Sequence, residues 1–257
     1  MKISLVQMRC PKGQIQENLT EIARYTREAN AQRADLICFP EMSITGYIDP
    51  TRNPEAVVAL TSDVVEQFCG LTRGTRLTAM AGIVETNPGG KPFITQIVAR
   101  EGELQGYYRK IHVAEDEGAF APGDAMPLFK HHSTAFGVAI CADVGHGDLF
   151  ATYADQGAVM VFVAAAPGLY GSQETRDWSS GFNWWRDECQ RHLSKFASAG
   201  NLYIAVATQA GRTADEDFPG GGYVFGPAGN RLAATTDWSE GVLYAEVDIE
   251  TPSHSLW

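Results

Sequence analysis

The stretch GVAICADVG, residues 137–145, carries a run of small and apolar residues into a cysteine. Residues 137–140 have the composition of a buried strand, and Cys141 stands where that strand would end, two residues before Asp143. A buried cysteine most often serves only as a small core residue. A thiol at a strand end is, however, also well placed to meet polar groups from other strands on a rigid scaffold. The role of Cys141 therefore depends on whether other segments supply such groups.

Strand-like and helix-like stretches alternate on both sides of this segment. Helices are predicted at residues 15–29, 62–71, 148–156 and 184–199. Strands are predicted at residues 3–8, 35–40, 77–85, 93–100, 104–110, 135–142, 159–166, 203–209, 222–225 and 242–249. Because most of these strands are apolar on both faces and helices are few, the pattern predicts an α/β fold of two packed sheets covered by helices.

Length and composition are those of an ordinary globular chain. The 257 residues suit one large domain, so a single domain over residues 1–257 is expected. The net charge of −11 argues against a nucleic-acid partner. No apolar run is long enough to span a bilayer, and the opening MKISLVQM has too short an apolar part for a signal peptide. We therefore expect a cytoplasmic location and no membrane contact.

The cysteines and histidines do not form a recognisable metal-binding or disulfide pattern. The five cysteines have irregular spacing and no C-x-x-C pair, which predicts neither a disulfide framework nor a zinc cage. The six histidines include one adjacent pair, His131 and His132, whose side chains would point to opposite faces of a strand. The sequence therefore predicts no metal ion.

Two further segments carry polar residues at predicted strand ends. Glu41 lies in FPEMSITGY (residues 39–47) and Lys110 in YYRKIH (residues 107–112). Taken alone, Glu41 is typical of a loop-capping acid and Lys110 of a solvated strand end. Together with Cys141 they form a coherent set, because a thiol needs a base or a nearby cation to become a nucleophile.

The roles of these three groups follow from their chemistry. Glu41 can take the thiol proton and return it to a leaving amine, if burial raises its pKa towards neutrality. Lys110 is expected to favour the thiolate and to hold the negative oxygen that develops during attack. The backbone N–H of Ala142, which follows the cysteine, is expected to assist it.

These segments resemble the nitrilase, or carbon–nitrogen hydrolase, superfamily over nearly the whole chain. The motifs are FPEMSITGY, YRKIHV and GVAICADVG, and the segments FAPGD (120–124) and FPGGGYVFGPAG (218–229) are also similar to family segments. The resemblance implies a four-layer α-β-β-α sandwich with mainly parallel or mixed sheets and a Glu41–Lys110–Cys141 triad. It also implies a covalent thioester or thioimidate intermediate, no cofactor, and a homodimer or larger homo-oligomer.

The sequence departs from the family pattern after the nucleophile. Relatives often carry an arginine where this chain has Gly145, so whatever that arginine binds or orders must be achieved differently here. His146 is a possible second base, but a loop residue five positions beyond a strand-end thiol more often has no catalytic role. Asp143 either orients the nucleophile loop or is a turn residue.

Many relatives also have a second glutamate shortly before the F-x-P-G segment. The usual spacing falls on Asp116, whereas Glu117 keeps the residue type one position later, and Glu117 is preferred here. A solvated acidic loop is the alternative. Tyr47 is expected at the substrate. Four other aromatic residues lie near segments that line the pocket in relatives, although most are expected in the core: Tyr170, Trp178, Trp184 and Trp185.

The predicted function is hydrolysis of a non-peptide C–N bond in a small amide, releasing ammonia or an amine and a carboxylate. Alternatives are an N-carbamoyl hydrolase, a nitrilase, a thiol-dependent acyltransferase and a non-catalytic binding protein of the same fold. True nitrilases of the family characteristically follow the nucleophile with tryptophan and glutamate. Here Ala142 and Asp143 follow it, which favours amides over nitriles.

Overall fold

The computed structural model describes residues 1–169 and 177–249. Within these ranges the α-helices are α1 (Ile15–Ala31), α2 (Asp63–Gly70), α3 (Gly147–Asp155) and α4 (Trp178–Gly200). The strands are β1 (Lys2–Gln7), β2 (Leu36–Cys38), β3 (Thr78–Glu85), β4 (Phe93–Arg100), β5 (Glu103–Arg109), β6 (Phe129–His131), β7 (Thr134–Ile140), β8 (Met160–Ala165), β9 (Tyr203–Thr208), β10 (Ala210–Arg212), β11 (Asp217–Pro219), β12 (Tyr223–Phe225), β13 (Arg231–Ala234) and β14 (Gly241–Glu246).

Twelve of these strands form two six-stranded mixed sheets. The first sheet has the order β14-β1-β2-β3-β4-β5, and the second has the order β13-β12-β9-β8-β7-β6. In each sheet three consecutive strands run parallel, β1-β2-β3 in the first and β7-β8-β9 in the second. Antiparallel strands complete both sides of each parallel group. β10 and β11 form a separate two-stranded ribbon.

Alternation along the first sheet shows how the layers are arranged. Leu5 belongs to a core cluster shared with the second sheet, whereas Val6 belongs to a separate cluster on the opposite face. Leu36 and Ile37 on β2 divide between the two clusters in the same way. Because successive strand side chains point to opposite faces, one face of the sheet packs on the other sheet and one on helices.

Helices cover the outer faces. On the first sheet, α1 contributes Ile22 and α2 contributes Phe68 to the outer cluster. On the second sheet, α4 places four buried residues at four-residue spacing, along one face of the helix: Trp185, Cys189, Leu193 and Ala197. The expected α-β-β-α sandwich is therefore confirmed.

The predicted elements match the structure best where the apolar run is long. The β4 strand begins and ends where predicted, and the other predicted strands are shifted or shortened by a few residues at their ends. Helix α4 begins six residues earlier than predicted because Asp177 caps it, its side chain accepting from Ser180 N at 3.2 Å. The short strands β6, β10, β11 and β13 were not predicted, since three or four residues carry little periodicity.

In the described ranges, no helix combines the length and the apolar character needed to cross a membrane.

Candidate active site

Glu41 lies in a turn that follows β2 and packs on β3. Gly82 N donates to Ser43 Oγ at 3.0 Å, and Ile44 N donates to Gly82 O at 2.8 Å. A Cβ at Gly82 would lie 2.2 Å from Met42 N, so only glycine allows this approach. Met42 itself has φ 48°, in the left-handed region that L-residues rarely adopt. The turn thereby holds the Glu41 side chain fully buried.

Cys141 begins a short 3₁₀ turn, Cys141–Gly145, directly after β7. Its φ of 41° also lies in the left-handed region, which costs about 1–3 kcal/mol and requires support from the surroundings. Asp143 supplies that support, because its Oδ2 accepts from Ile140 N at 2.8 Å and from the Tyr108 hydroxyl at 2.7 Å. The buried Asp143 carboxylate thus links the Cys141–Gly145 turn, the nucleophile turn of the proposed site, to Tyr108 on β5.

Lys110 follows β5 and points into the space between the sheets. Its backbone N donates to Ile94 O at 2.8 Å, and its side chain is 1% exposed. The Nζ atom lies 2.8 Å from Glu41 Oε1 and 2.6 and 2.7 Å from the two Glu117 carboxylate oxygens. All three donors of the ammonium group are therefore directed at two buried carboxylates.

The second carboxylate at Lys110 belongs to Glu117. Besides Lys110, Glu117 accepts from Ala114 N at 2.8 Å and from the Tyr47 hydroxyl at 2.7 Å. Burial raises the pKa of Tyr47 well above its usual value, so the hydroxyl remains a donor. Asp116, the alternative suggested by family spacing, is exposed. The structure thus brings Glu117, rather than Asp116, to the buried lysine, and Tyr47 to Glu117.

Burial raises the pKa of the Glu41 carboxyl to about 7. The positive charge of Lys110 opposes this rise, and the negative charge of Glu117 adds to it. Burial alone would disfavour the charged form of Lys110, but the charges of Glu41, Cys141 and Glu117 outweigh it and raise the lysine pKa. A carboxyl group that titrates near neutrality suits a base that must both take and return a proton.

Lys110 favours the thiolate of Cys141, as expected, but burial and the charge of Glu41 outweigh it. Burial raises the pKa of Cys141 well above its usual value, and the negative charge of Glu41 adds to that rise. Lys110 lowers the pKa but does not compensate for these two effects. Cys141 therefore rests as a thiol and needs a proton acceptor at the moment of attack.

The other predicted residues lie in the nucleophile turn, at the surface or in the core. Ala142 is half-buried in the nucleophile turn, and Gly145 is exposed, with no atom within 4 Å of a Cβ placed there. Trp185 is a core residue whose Nε1 donates to Thr208 Oγ1 at 2.9 Å. Trp178 and Trp184 are half-buried on α4. Tyr170 lies outside the described residues.

Two contacts of the site are not predictable from the sequence. Ala166 N, just beyond β8, donates to Glu41 Oε2 at 3.0 Å and so fixes the carboxylate oxygen that Lys110 does not bind. Because this is a backbone group, no residue type reveals it. Tyr108 is the first residue of the YRKIHV motif, yet its hydroxyl contact with Asp143 depends on the packing of β5 against the turn.

The assembled site has the parts required for nucleophilic attack on a carbonyl carbon. A half-buried thiol stands beside a carboxyl group that titrates near neutrality, and a buried ammonium group lies next to both. Transfer of the thiol proton to Glu41 leaves the total charge of the site unchanged, which limits the cost of ionising a buried thiol.

Comparison with known proteins agrees with this chemistry. A sequence model of the carbon–nitrogen hydrolase family matches residues 2–253. A solved variant of the amidase from Nesterenkonia sp. AN1, with covalent addition of the acetamide moiety of fluoroacetamide at its active-site cysteine, is 26% identical. It superposes with a TM-score of 0.80 over 96% of this chain and 90% of that one.

Two curated relatives differ in how much of their own length is matched. N-carbamoylputrescine amidase of Arabidopsis thaliana is 26% identical over 96% of this chain and 86% of its own. Glutamine-dependent NAD(+) synthetase of Acinetobacter baylyi is 25% identical over 97% of this chain, but the chain spans only 44% of that protein.

Proposed function

The chain belongs to the carbon–nitrogen hydrolase family, and we propose that it hydrolyses a non-peptide C–N bond in a small amide through a thioester on Cys141. The observation that carries this proposal is the buried Lys110 ammonium, which contacts Glu41 at 2.8 Å and Glu117 at 2.6 Å beside the half-buried thiol. A lysine this deeply buried between two carboxylates is costly to build, so a chemical role explains it better than stability does.

The first half of the reaction forms the acyl-enzyme. Glu41 takes the proton of Cys141 as the sulfur attacks the carbonyl carbon, and the carbonyl oxygen becomes negative. Lys110 Nζ and the Ala142 N–H stabilise that oxygen. Since the three lysine donors are already directed at carboxylates, Lys110 must exchange one of its two Glu117 contacts for the oxyanion. Glu41 then returns its proton to the nitrogen, and ammonia or an amine leaves.

The second half releases the acid. Glu41 accepts a proton from water, the resulting hydroxide attacks the thioester carbon, and the C–S bond breaks. The Cys141 sulfur regains a proton from Glu41, and the carboxylic acid leaves and loses its own proton to solvent as the carboxylate. Glu117 keeps Lys110 in place throughout, and Tyr47 orients Glu117 through its 2.7 Å hydrogen bond.

A screen for ammonia release tests this function. Short carboxamides, ω-amides, glutamine, N-carbamoyl amines and nitriles are compared, with Cys141→Ala as the blank. We expect turnover of at least one carboxamide, and an acyl adduct on Cys141 detectable by mass spectrometry after rapid quenching. Ammonia release that persists in Cys141→Ala would contradict the thioester route. Inactivity of the wild-type protein across the set would favour a binding protein of the same fold.

Hydrolysis of an N-carbamoyl compound is the second candidate, because the Arabidopsis thaliana N-carbamoylputrescine amidase matches nearly the whole chain. The same attack on a carbamoyl carbon would yield an amine, ammonia and carbon dioxide. Measuring carbon dioxide alongside ammonia separates the two candidates. Adding hydroxylamine distinguishes hydrolysis from acyl transfer, since a transferase would divert most of the acyl group to the hydroxamate.

We also propose that the chain acts as one domain and assembles as a homodimer or larger homo-oligomer in the cytoplasm, with neither a cofactor nor a catalytic metal. Light scattering on the purified protein tests the assembly. Since no metal takes part in the proposed reaction, full activity should remain after dialysis against a chelator.

A further inference from the structure

Two histidines and an aspartate meet beside the nucleophile turn. His112 follows Lys110 by two residues, while His146 and Asp148 lie where the turn continues into α3. In the described part of the chain, one potential ligand atom from each of the three lies within 4.8 Å of the other two. The two imidazole rings are stacked, parallel within 5° and with centroids 3.5 Å apart. Because an imidazole lone pair lies in the plane of its ring, one ring must rotate before both can bind the same ion.

Asp143 gives this cluster a feature that an accidental surface group would lack. Its Oδ1 atom accepts from His112 N at 3.0 Å and lies 2.7 Å from His112 Nδ1. Asp143 is fully buried, so its carboxylate is best satisfied when Nδ1 carries the proton and donates to it. The lone pair of His112 then stands on Nε2, on the side of the ring away from Asp143.

This is the arrangement that orients a metal-binding histidine. A carboxylate that accepts from one ring nitrogen fixes the tautomer and makes the other nitrogen a better ligand. Nothing in the proposed hydrolysis uses His112, His146 or Asp148, and the side chain of His112 is 24% exposed, so the site is open to an ion from solvent.

We propose that His112, His146 and Asp148 bind one divalent transition-metal ion, Zn²⁺ being the best match, with water completing the coordination. Two imidazole nitrogens and one carboxylate oxygen are typical zinc ligands. Ligand atoms around a tetrahedral zinc are about 3.3 Å apart for bonds of about 2.0–2.1 Å. Binding therefore requires the exposed His146 ring to rotate out of its stack on His112, and His146 and Asp148 to close gaps between ligand atoms of up to about 1.5 Å.

The sequence does not indicate that His112 and His146 lie together. Its adjacent histidines are His131 and His132. In the structure His131 Nδ1 lies 2.8 Å from Thr78 Oγ1, and the two adjacent rings pack edge to face. His112 and His146 are 34 positions apart, so only the fold brings them together. The ion would join the segment after Lys110 to the turn that begins with Cys141.

The test uses tag-free protein carrying Cys141→Ala, so that the thiol cannot capture the metal. Titration calorimetry with zinc chloride is expected to show one equivalent bound. His146→Ala and Asp148→Asn, added to this background, should each weaken binding at least ~10-fold. His132→Ala, which removes an exposed histidine elsewhere, serves as the matched control and should leave the affinity unchanged.

Cobalt(II) gives an independent readout with the wild-type protein. Visible d–d bands of a tetrahedral ion without a sulfur-to-cobalt charge-transfer band are expected, and His146→Ala should abolish them. No binding to the Cys141→Ala protein would overturn the proposal. Unchanged affinity in both His146→Ala and Asp148→Asn would also overturn it, as would a charge-transfer band showing thiolate ligation. Circular dichroism of each variant identifies any loss of binding that comes from misfolding.

Discussion

At Glu41, burial and charge act in opposite directions, and the balance between them sets the chemistry of the site. Burial raises its pKa and Lys110 lowers it, leaving a value of about 7. The same burial raises the pKa of Cys141, so the thiol cannot ionise by itself. Direct proton transfer from Cys141 to Glu41 allows the thiol to ionise, because the negative charge of the carboxylate is lost as that of the thiolate forms.

Replacing the base is the most direct test of this balance. Glu41→Gln keeps the shape of the side chain but removes the proton acceptor, so kcat/KM should fall by about 10²–10⁴-fold. In the wild-type protein kcat/KM should fall as the pH drops below about 7, because Glu41 must be ionised to accept the proton. Steady-state kinetics across pH measure both effects. Glu66→Gln, an exposed change on α2, is the control. A Glu41→Gln enzyme with an intact acid limb would remove Glu41 from this role.

Lys110 offers a second test at the residue scale. Lys110→Met removes the proposed oxyanion donor and leaves Glu41 and Glu117 close together without a cation, so kcat should fall by ~10²–10³-fold. Lys130→Met, an exposed change on β6, is the matched control and should be silent. If Lys110→Met kept nearly normal turnover with an unchanged circular dichroism spectrum, the oxyanion would have to be stabilised elsewhere.

Cys141 should react first among the five cysteines, and the reason is access rather than a low pKa. It is half-buried, whereas the other four are buried: Cys10, Cys38, Cys69 and Cys189. Peptide mapping after limiting iodoacetamide is expected to find most of the label on Cys141. Labelling should slow in Glu41→Gln, since the alkylated species is the thiolate. Preferential labelling of any buried cysteine would contradict this assignment.

At the scale of elements, the site depends on turns that leave strand ends in unusual conformations. Both Met42, next to Glu41, and Cys141 have positive φ values, 48° and 41°. Each turn is held by hydrogen bonds from a neighbouring element, Gly82 on β3 for the first and Tyr108 on β5 for the second. The strain is therefore located in the turns that position the two side chains proposed to react.

Gly82→Ala tests how much the Glu41 turn depends on this close packing. The new Cβ would lie 2.2 Å from Met42 N, so the turn must move away from β3. We expect a loss of about 2 kcal/mol or more in the free energy of unfolding, together with a lower kcat. Chemical denaturation and kinetics measure the two effects. Gly241→Ala, in a strand position with open space around its Cβ, is the control. Equal stability of both variants would show that the turn adjusts freely.

Elements with long apolar runs were predictable, and those defined by their partners were not. The runs that became β3, β4 and β8 are fully or almost fully buried over six to eight residues, so their composition marks them. The β6 strand has only three residues and exists through its pairing with β7. The same distinction holds in the site. Glu41, Lys110 and Cys141 stand at predicted strand ends, whereas Ala166 N and the His112–His146 stack depend on tertiary packing.

For the whole molecule, the two sheets share one arrangement of parallel and antiparallel strands without an evident sequence repeat. Each has three parallel strands in chain order, one antiparallel neighbour on one side and two on the other. The groups of the proposed site come from both sheets, with Glu41 and Lys110 from the first and Cys141 and Ala166 N from the second. We therefore expect activity to be sensitive to how the sheets pack, since a small shift between them would separate the proposed base from the proposed nucleophile.

The groups that the two sheets bring together also indicate whether the site should cleave an amide or a nitrile. An amide and a nitrile can both begin with attack by the Cys141 sulfur. The amide builds an oxyanion at once and expels its protonated nitrogen in the first half of the reaction, whereas the nitrile first gives a thioimidate and loses ammonia only after water has added. Lys110 and the Ala142 N–H suit the oxyanion, and Glu41, with a pKa of about 7, suits protonation of the leaving nitrogen. We therefore expect kcat/KM for a carboxamide to exceed that for the nitrile of the same carbon skeleton at least ~10-fold, about 1.4 kcal/mol in transition-state stabilisation. Several matched pairs should be compared, with Cys141→Ala as the blank. Equal or better use of the nitriles would show that the site stabilises a thioimidate rather than a tetrahedral oxyanion, and would assign the protein to the nitrilases.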